Sequence, residues 1–510
     1  MEGKKTIINL ISAGVAFSTS VAINFFLTPF IVRHVGVEAY GFVAMSNDFL
    51  AYISVLTMAL NSMSARFIAI AMHKNELEEA REYYASTIGA NIILSICIFS
   101  IFLPGIICLE QIINIPDSLI IDVKCLFLFS LVNFFLVLIF SSYGTGYIIC
   151  NKLYLSSVVQ IKGSLLRLGV LAGLFTFCVP HVAYMGIGAL AGSIWNKVYD
   201  FYYQHKLVPE LRFSLSACRW QRCRTLLESG IWSSITRLGN ILAGNLDLLI
   251  VNLFLSSTEM GILAVVKIVP TFLTTVTGMM AGVYMPGFLE LYAKDKFDEM
   301  VESINRAMKV FSLVLSMPLV VFLSSGDVFF RLWMPGQDAE YMYILSVLSL
   351  MAIVVIGPVA MLHNIFTVVN KLKTNSLLVV FTGFLNTVAG LVVLKYTDWG
   401  LYGIVFITAA LSLLRNLFYT VPYGAIYLGK PVHTFFPVLL RTFLCVAGLS
   451  FVMRIMLNFA LPDSWGSFAL AVVLMVFGNI AVQLMMVFSG AERKIFIKKV
   501  KNLLGKYIRK

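Results

Sequence analysis

Long apolar runs alternate with short polar connections from one end of this chain to the other. Stretches such as FVMRIMLNFAL at 451–461 and FALAVVLMVFGNIAVQLMMVF at 468–488 show no apolar/polar alternation. A membrane β-barrel would alternate over about ten residues per strand. The runs instead match α-helices, which need about 20 apolar residues to cross a bilayer. The pattern predicts about fourteen transmembrane helices, at 7–32, 42–71, 84–108, 122–147, 157–179, 184–203, 229–255, 261–290, 309–331, 342–368, 376–395, 401–427, 434–459 and 466–488. The fold class is therefore an all-α polytopic membrane protein. The first run is too long for the apolar region of a signal peptide and is read as a helix that stays.

Composition agrees. Of 510 residues, 59% are hydrophobic and 13% charged, and the mean hydropathy is +0.89. A soluble domain carries roughly a quarter charged residues. The net charge of +12 is mostly an asymmetry between the two sides of the membrane. Lysine and arginine collect at both ends of the chain and in the even-numbered connections, as at Lys74 and Arg81, Lys206 to Arg224, Lys294 and Lys296, and Lys371 and Lys373. The other connections are short and acidic, with Glu38, Glu110, Asp117, Glu259, Asp338, Asp398 and Asp463. Positive charge marks the cytoplasmic side, so both termini are expected there. A nucleic-acid partner is not indicated. The tail IFIKKVKNLLGKYIRK is expected to lie as an amphipathic helix on anionic lipid headgroups. The eight cysteines are scattered, and Cys218 and Cys223 are too loosely spaced for a zinc site.

A triplet repeats. Asn151-Lys152-Leu153 recurs as Asn370-Lys371-Leu372, 219 residues later. At offsets of 219–220, Gly41 also maps to Gly261, Ala44 to Ala264, Asn75 to Asp295, Asn196 to Asn416 and Tyr199 to Tyr419. An offset held over six helices indicates duplication. An even number of helices per copy makes the repeats parallel. The expected organisation is an N-lobe at 1–205, a basic linker at 206–228, a C-lobe at 229–428, two further helices at 429–489 and a basic tail at 490–510. Two such lobes imply a cleft, where transporters of repeat architecture hold substrate. GIGALAG at 186–192 lies inside a helix with no preceding strand, so it is read as close helix packing rather than a nucleotide loop.

LTPFIVRHVGVEAYGFVAMSNDFLAYI at 27–53, with MSARFIAIAM at 63–72, resembles the first hairpin of polysaccharide flippases. These belong to the multidrug/oligosaccharidyl-lipid/polysaccharide exporter superfamily. The NK pairs before helices 5 and 11 and STEMGILAVVKIVPTFLTTV at 257–276 fit the same pattern. The resemblance covers essentially the whole chain. It implies a non-enzymatic carrier that moves a lipid-linked oligosaccharide, on undecaprenyl pyrophosphate, from the cytoplasmic to the outer leaflet of a bacterial inner membrane. Other polysaccharide assembly proteins are implied partners. The alternatives are a cation-coupled multidrug exporter or, in a different class, a membrane glycosyl polymerase or transferase. The outer loops are short for the latter.

An ionisable side chain inside a membrane helix is costly and marks function. Arg167 and Arg415 lie near mid-membrane, and Arg66, Arg237 and Lys267 complete a cationic set suited to a pyrophosphate. Asp48 and Asp247 are the candidates for gating or for coupling to H⁺ or Na⁺; no other cofactor is implied. Asp247 and Lys267 each stand ten residues from Ser257 in the turn between helices 7 and 8. That spacing puts them at similar depth, as an insertion pair or a switchable one.

Overall fold

The computed structural model describes residues 2–459 and 462–494, and the segment at 495–510 proposed to lie on headgroups falls outside them. The described residues contain no β-strand. In lipid every backbone amide must bond within the chain, and a helix does this locally. Fourteen long helical segments are described: α1 Glu2–His34, α2 Val37–His73, α3 Leu77–Ile107, α4 Ile120–Ile139, α5 Leu153–Phe177, α6 Tyr184–Leu207, α7 (Trp220–Asn240, Ile241–Asn245 and Asp247–Phe254), α8 Ser257–Ala293, α9 Phe297–Trp333, α10 Ala339–Val368, α11 Leu372–Tyr396, α12 Gly400–Ile426, α13 Phe436–Phe459 and α14 Trp465–Met486. Among the described residues, twelve are long and apolar enough to cross a membrane. The two that fall short are α6 and α7, because both carry polar runs. In α6 some of those groups are matched internally, while Trp195 Nε1, Asn196 Oδ1 and Gln204 Nε2 are buried without a partner from the protein. Tyr147 donates to Asp200 at 3.2 Å, Lys197 pairs with Asp200 at 3.0 Å, and Gln204 accepts from the Gly146 amide at 2.8 Å.

The duplication is written into the backbone. The described non-glycine residues with positive φ are Asn75, Asn151, Asp295 and Asn370, at 63°, 50°, 54° and 56°. They form two pairs at the repeat offset. Each ends a helix in the same way. The Asn370 amide donates to Thr367 at 3.2 Å and the Lys371 amide to Phe366 at 2.8 Å; the Asn151 turn repeats this with Ile148 and Tyr147 at 3.1 and 2.8 Å. This is the Schellman closure, whose left-handed residue is best served by glycine or asparagine. The shared NKL triplet is thus a helix stop followed at once by a helix start.

The chain packs as two compact units. Unit one holds Met1–Val265 with Ser376–Leu391, and unit two holds Val266–Asn375 with Val392–Lys510. In unit one α7 lies along α2 so closely that a Cβ on Gly230 would stand 1.9 Å from the Ala59 carbonyl oxygen. Both ends of α7 are fastened. Near its start Arg222 bonds Glu79 at 2.7 Å and Glu82 at 2.9 Å. Near its end Asn252 exchanges hydrogen bonds with Asn114 at 2.8 and 2.9 Å. GIGALAG packs as expected: a Cβ on Gly192 would be 3.0 Å from the Gly163 carbonyl of α5.

In unit two a polar stripe on α9 holds the two helices outside the duplication. Thr442 of α13 donates to Ser312 at 2.8 Å, Asn479 of α14 donates to Ser316 at 2.8 Å, and Arg454 of α13 bonds Asp327 at 2.6 Å. Lys309 holds Glu492, beyond α14, at 2.8 Å. Spacings of three, four and eleven residues keep Lys309, Ser312, Ser316 and Asp327 on one face of α9. α9 bends at Ser325 (φ −140°, ψ 20°), and the Ser324 carbonyl beside the bend accepts from Arg454 at 3.2 Å.

Candidate functional site

Arg167 in unit one is positioned by the glycine contact between α5 and α6. A Cβ on Gly192 would lie 3.4 Å from the Arg167 Cβ. Tyr40 of α2 is its electrostatic partner, and Thr28 of α1 stands 3.5 Å from the Tyr40 hydroxyl. The Arg167 Nε is shielded from solvent and has no hydrogen-bond partner from the protein. Among the described residues, no carboxylate pairs with it. A guanidinium in low dielectric is costly unless something anionic meets it.

A second polar cluster in unit one surrounds a break in α7. Residues Ile241–Asn245 form a π-turn, a widened turn that is frequent at functional sites. Thr387 of α11 donates to the Leu242 carbonyl there at 3.0 Å. Gly239 lets α11 come close, since a Cβ would be 2.7 Å from the Val379 backbone. Asn245, the last residue of the turn, donates to Asp48 at 2.5 Å and accepts from the Tyr52 hydroxyl at 2.9 Å. Asp247 is buried at 3% exposure, and both it and Asp48 act electrostatically on Tyr52. Two candidate carboxylates are therefore gathered around one tyrosine. Arg237, one turn before the break, donates to Ser54 at 3.2 Å and is half-buried. Arg66 lies on the exposed face of α2, apart from these groups.

Unit two contains Arg415 and Lys267. Arg415 ends the first stretch of α12, just before a second π-turn at Asn416–Thr420. Its Nε is shielded and has no hydrogen-bond partner from the protein. It acts electrostatically on His363 of α10. His363 also lines a cavity of 370 Å³ between α8 and α10, with Thr277, Gly278, Ala281, Gly357 and Asn364. Asn364 donates to the Ala281 carbonyl at 2.9 Å and holds that wall. Lys267 is half-buried at the join between the two stretches of α8. Asp247 and Lys267 thus fall in different packing units. No group of three or more His, Cys, Asp or Glu that could hold a metal occurs among the described residues.

The sequence pattern does not single out Tyr40, Tyr52, Asn245 or His363. The one available signal was His363 itself, an imidazole inside an otherwise apolar run at 342–368.

A sequence profile of the family described as "Polysaccharide biosynthesis protein" matches residues 5–292. An "Uncharacterized membrane protein EpsK" of Bacillus subtilis (strain 168) is 27% identical over 98% of this chain and 99% of its own. Among solved structures, one described as "Lipid II flippase MurJ, inward closed conformation" aligns over 96% of this chain and 100% of its own, with a TM-score of 0.66 and 14% identity. An inward-facing multidrug resistance MATE family transporter of the MOP superfamily aligns over 83% of this chain and 98% of its own, with a TM-score of 0.65 and 14% identity. At such identities the structural likeness gives the fold alone, which this chain shares with those solved structures.

Proposed function

This chain belongs to the polysaccharide biosynthesis protein family, and from that premise we propose that it flips a lipid-linked oligosaccharide for a cell-surface polysaccharide. The cargo is a sugar unit on undecaprenyl pyrophosphate, taken up from the cytoplasmic leaflet and released to the outer one. The observation that carries this reading is a pair of partly exposed arginines, Arg167 and Arg415, each with a shielded, unpartnered Nε and no described carboxylate partner. A pyrophosphate headgroup supplies the missing counter-charge and accepts guanidinium hydrogen bonds in place of water. A carrier of cationic drugs calls for the opposite sign.

In this mechanism the headgroup crosses by alternating access, and no covalent bond is made or broken. Arg167 and Arg415 bind the anion, with Arg66, Arg237 and Lys267 as further cations along its route. Asp48 and Asp247 are the coupling carboxylates. Asp247 follows the π-turn of α7 and Asp48 is bonded by its last residue, so a rearranged Asn245 would release Asp48. Taking up H⁺ or Na⁺ there changes the local charge and the hold on α7.

The test is deletion of the gene, followed by analysis of lipid-linked intermediates. Accumulation of one glycolipid on the cytoplasmic leaflet is expected, relieved by the wild-type gene and not by Arg167→Ala. Unchanged glycolipid with altered drug tolerance would favour the multidrug reading instead.

A further inference from the structure

In unit one, α6 carries three aromatic rings one above another. Trp195, Tyr199 and Tyr203 follow at intervals of four residues, so they share one flank of the helix. Ring centroids stand 4.7 Å apart from Trp195 to Tyr199 and 6.4 Å apart from Tyr199 to Tyr203. All three residues are partly exposed, beside the buried face of Gly192, Asp200 and Gln204. The ladder begins about one turn after Gly192, where Arg167 packs. At about 1.5 Å per residue it runs about 12 Å, towards the basic end of α6 at His205 and Lys206. At its head the Trp195 Nε1 and the Asn196 Oδ1 have no hydrogen bond from the protein. A small rotation of either side chain towards a polar ligand gains a bond and gives none up. Lipid chains offer these groups no partner.

The pattern recurs in unit two. At the repeat offset, Tyr199 and Tyr203 become Tyr419 and Tyr423 of α12, and Asn196 becomes Asn416. The rings of Tyr419 and Tyr423 stand 4.9 Å apart, and Phe366 stacks on Tyr419 at 5.4 Å and 9°. Arg415 takes the place of Trp195, so in each unit an arginine stands at the head of the ladder. A ligand with apolar faces, a hydroxylated rim and an anionic end matches these features together. A sugar chain on a pyrophosphate has all three, since the C–H faces of pyranose rings stack on aromatic rings. We propose that the α6 ladder is a saccharide subsite, in which Trp195, Tyr199 and Tyr203 stack on sugar rings of the cargo. Trp195 donates to one sugar hydroxyl and Asn196 accepts from another, while Arg167 holds the pyrophosphate at the head. Stacking reads the apolar face of a ring more than its substituents, so the subsite selects for saccharides as a class. The inference rests on the pyrophosphate reading above and adds recognition of the sugar to it.

Two pyrophosphate diesters of equal charge separate the sugar from the headgroup. Citronellyl-pyrophosphoryl-N-acetylglucosamine carries a sugar where methyl citronellyl pyrophosphate carries a methyl group. Binding of each to the full chain in lipid nanodiscs is measured by calorimetry. Wild type should favour the sugar diester by roughly two- to tenfold, the worth of one aromatic contact. The double variant Trp195→Leu with Tyr199→Leu should bind the methyl diester as wild type does and lose that preference. If the double variant binds neither diester, the two single variants decide by the same comparison. An unchanged preference in the variants, or none in wild type, would overturn the saccharide subsite while leaving the pyrophosphate reading in place. Wild type that binds neither diester, or that binds tetraphenylphosphonium in their stead, would overturn both.

Discussion

Arg167→Leu separates a functional guanidinium from a structural one by the sign of two effects. Arg167 has no carboxylate partner and a shielded Nε without a hydrogen bond from the protein, so its removal strands no counter-charge. An arginine near mid-membrane costs about 2.5–3.5 kcal/mol on insertion scales, so leucine should leave stability unchanged or raise it. If the guanidinium meets a buried phosphate, its loss costs about 2–5 kcal/mol of binding. At about 1.4 kcal/mol per tenfold, that is roughly a 30-fold to several-thousand-fold weaker complex. Arg222→Leu is the control. Arg222 bonds Glu79 at 2.7 Å and Glu82 at 2.9 Å with 28% of its side chain exposed, so its loss leaves the half-buried Glu79 unpaired and Glu82 with only the longer contact to Arg219 at 3.6 Å. With solvent screening, that should cost about 1–2 kcal/mol of stability. The assay is thermal unfolding of both variants in one detergent, with binding of the pyrophosphate diester measured alongside. If Arg167→Leu lowers the melting temperature as much as Arg222→Leu and binds the probe like wild type, the arginine is structural and the reasoning is refuted.

Reporter fusions at Lys206 and Lys510 should read as cytoplasmic and one at Asp398 as external; a cytoplasmic signal at Asp398 would break the even helix number of each repeat. The double change Asp247→Asn with Lys267→Met should give folded protein that does not export, whereas normal export would reduce both residues to an insertion device. Asn370→Gly should leave the melting temperature near wild type, while Asn370→Val, at φ 56°, should cost about 1–2 kcal/mol because a β-branched side chain is strained there. The Glu492 carboxyl is held below the usual carboxylate range, against the opposing effect of its burial, by hydrogen bonds from Lys309 and from Ser489. A depressed folded-state value contributes stability above the unfolded one and loses it as pH falls through the folded one. Wild type should therefore lose more stability than Glu492→Gln on acidification below the ordinary carboxylate range.

The helices were legible because lipid demands continuous apolar runs, and such runs can be read from sequence. The duplication was legible for a different reason. Its markers Asn75, Asp295, Asn151 and Asn370 are required by left-handed helix stops, which few other residues serve. The polarity of α6 and α7 is also visible in the sequence, yet its meaning is not. Asp200 and Gln204 are matched by Tyr147, Lys197 and the Gly146 amide, and no spacing rule reveals such contacts between elements. The π-turns escaped for the same kind of reason. ILAGN at 241–245 reads as ordinary helix, and only the approach of Thr387 and of Asp48 makes its altered bonding useful. Arg167 and Arg415 were found by depth alone. That they lack carboxylate partners is a tertiary fact.

The central claim is that this protein moves a pyrophosphate-linked glycolipid across a bilayer. It is tested most directly with purified protein in sealed liposomes that carry a fluorescent undecaprenyl pyrophosphate oligosaccharide in both leaflets. A membrane-impermeant enzyme or quencher then reads the outer leaflet alone. The account predicts that wild-type liposomes expose the inner pool and raise the accessible fraction from about half towards all of it. Arg167→Ala liposomes at equal protein should stay near half. An accessible fraction that stays at half with wild-type protein, whichever ion gradient is imposed, or that rises equally with Arg167→Ala, would contradict it.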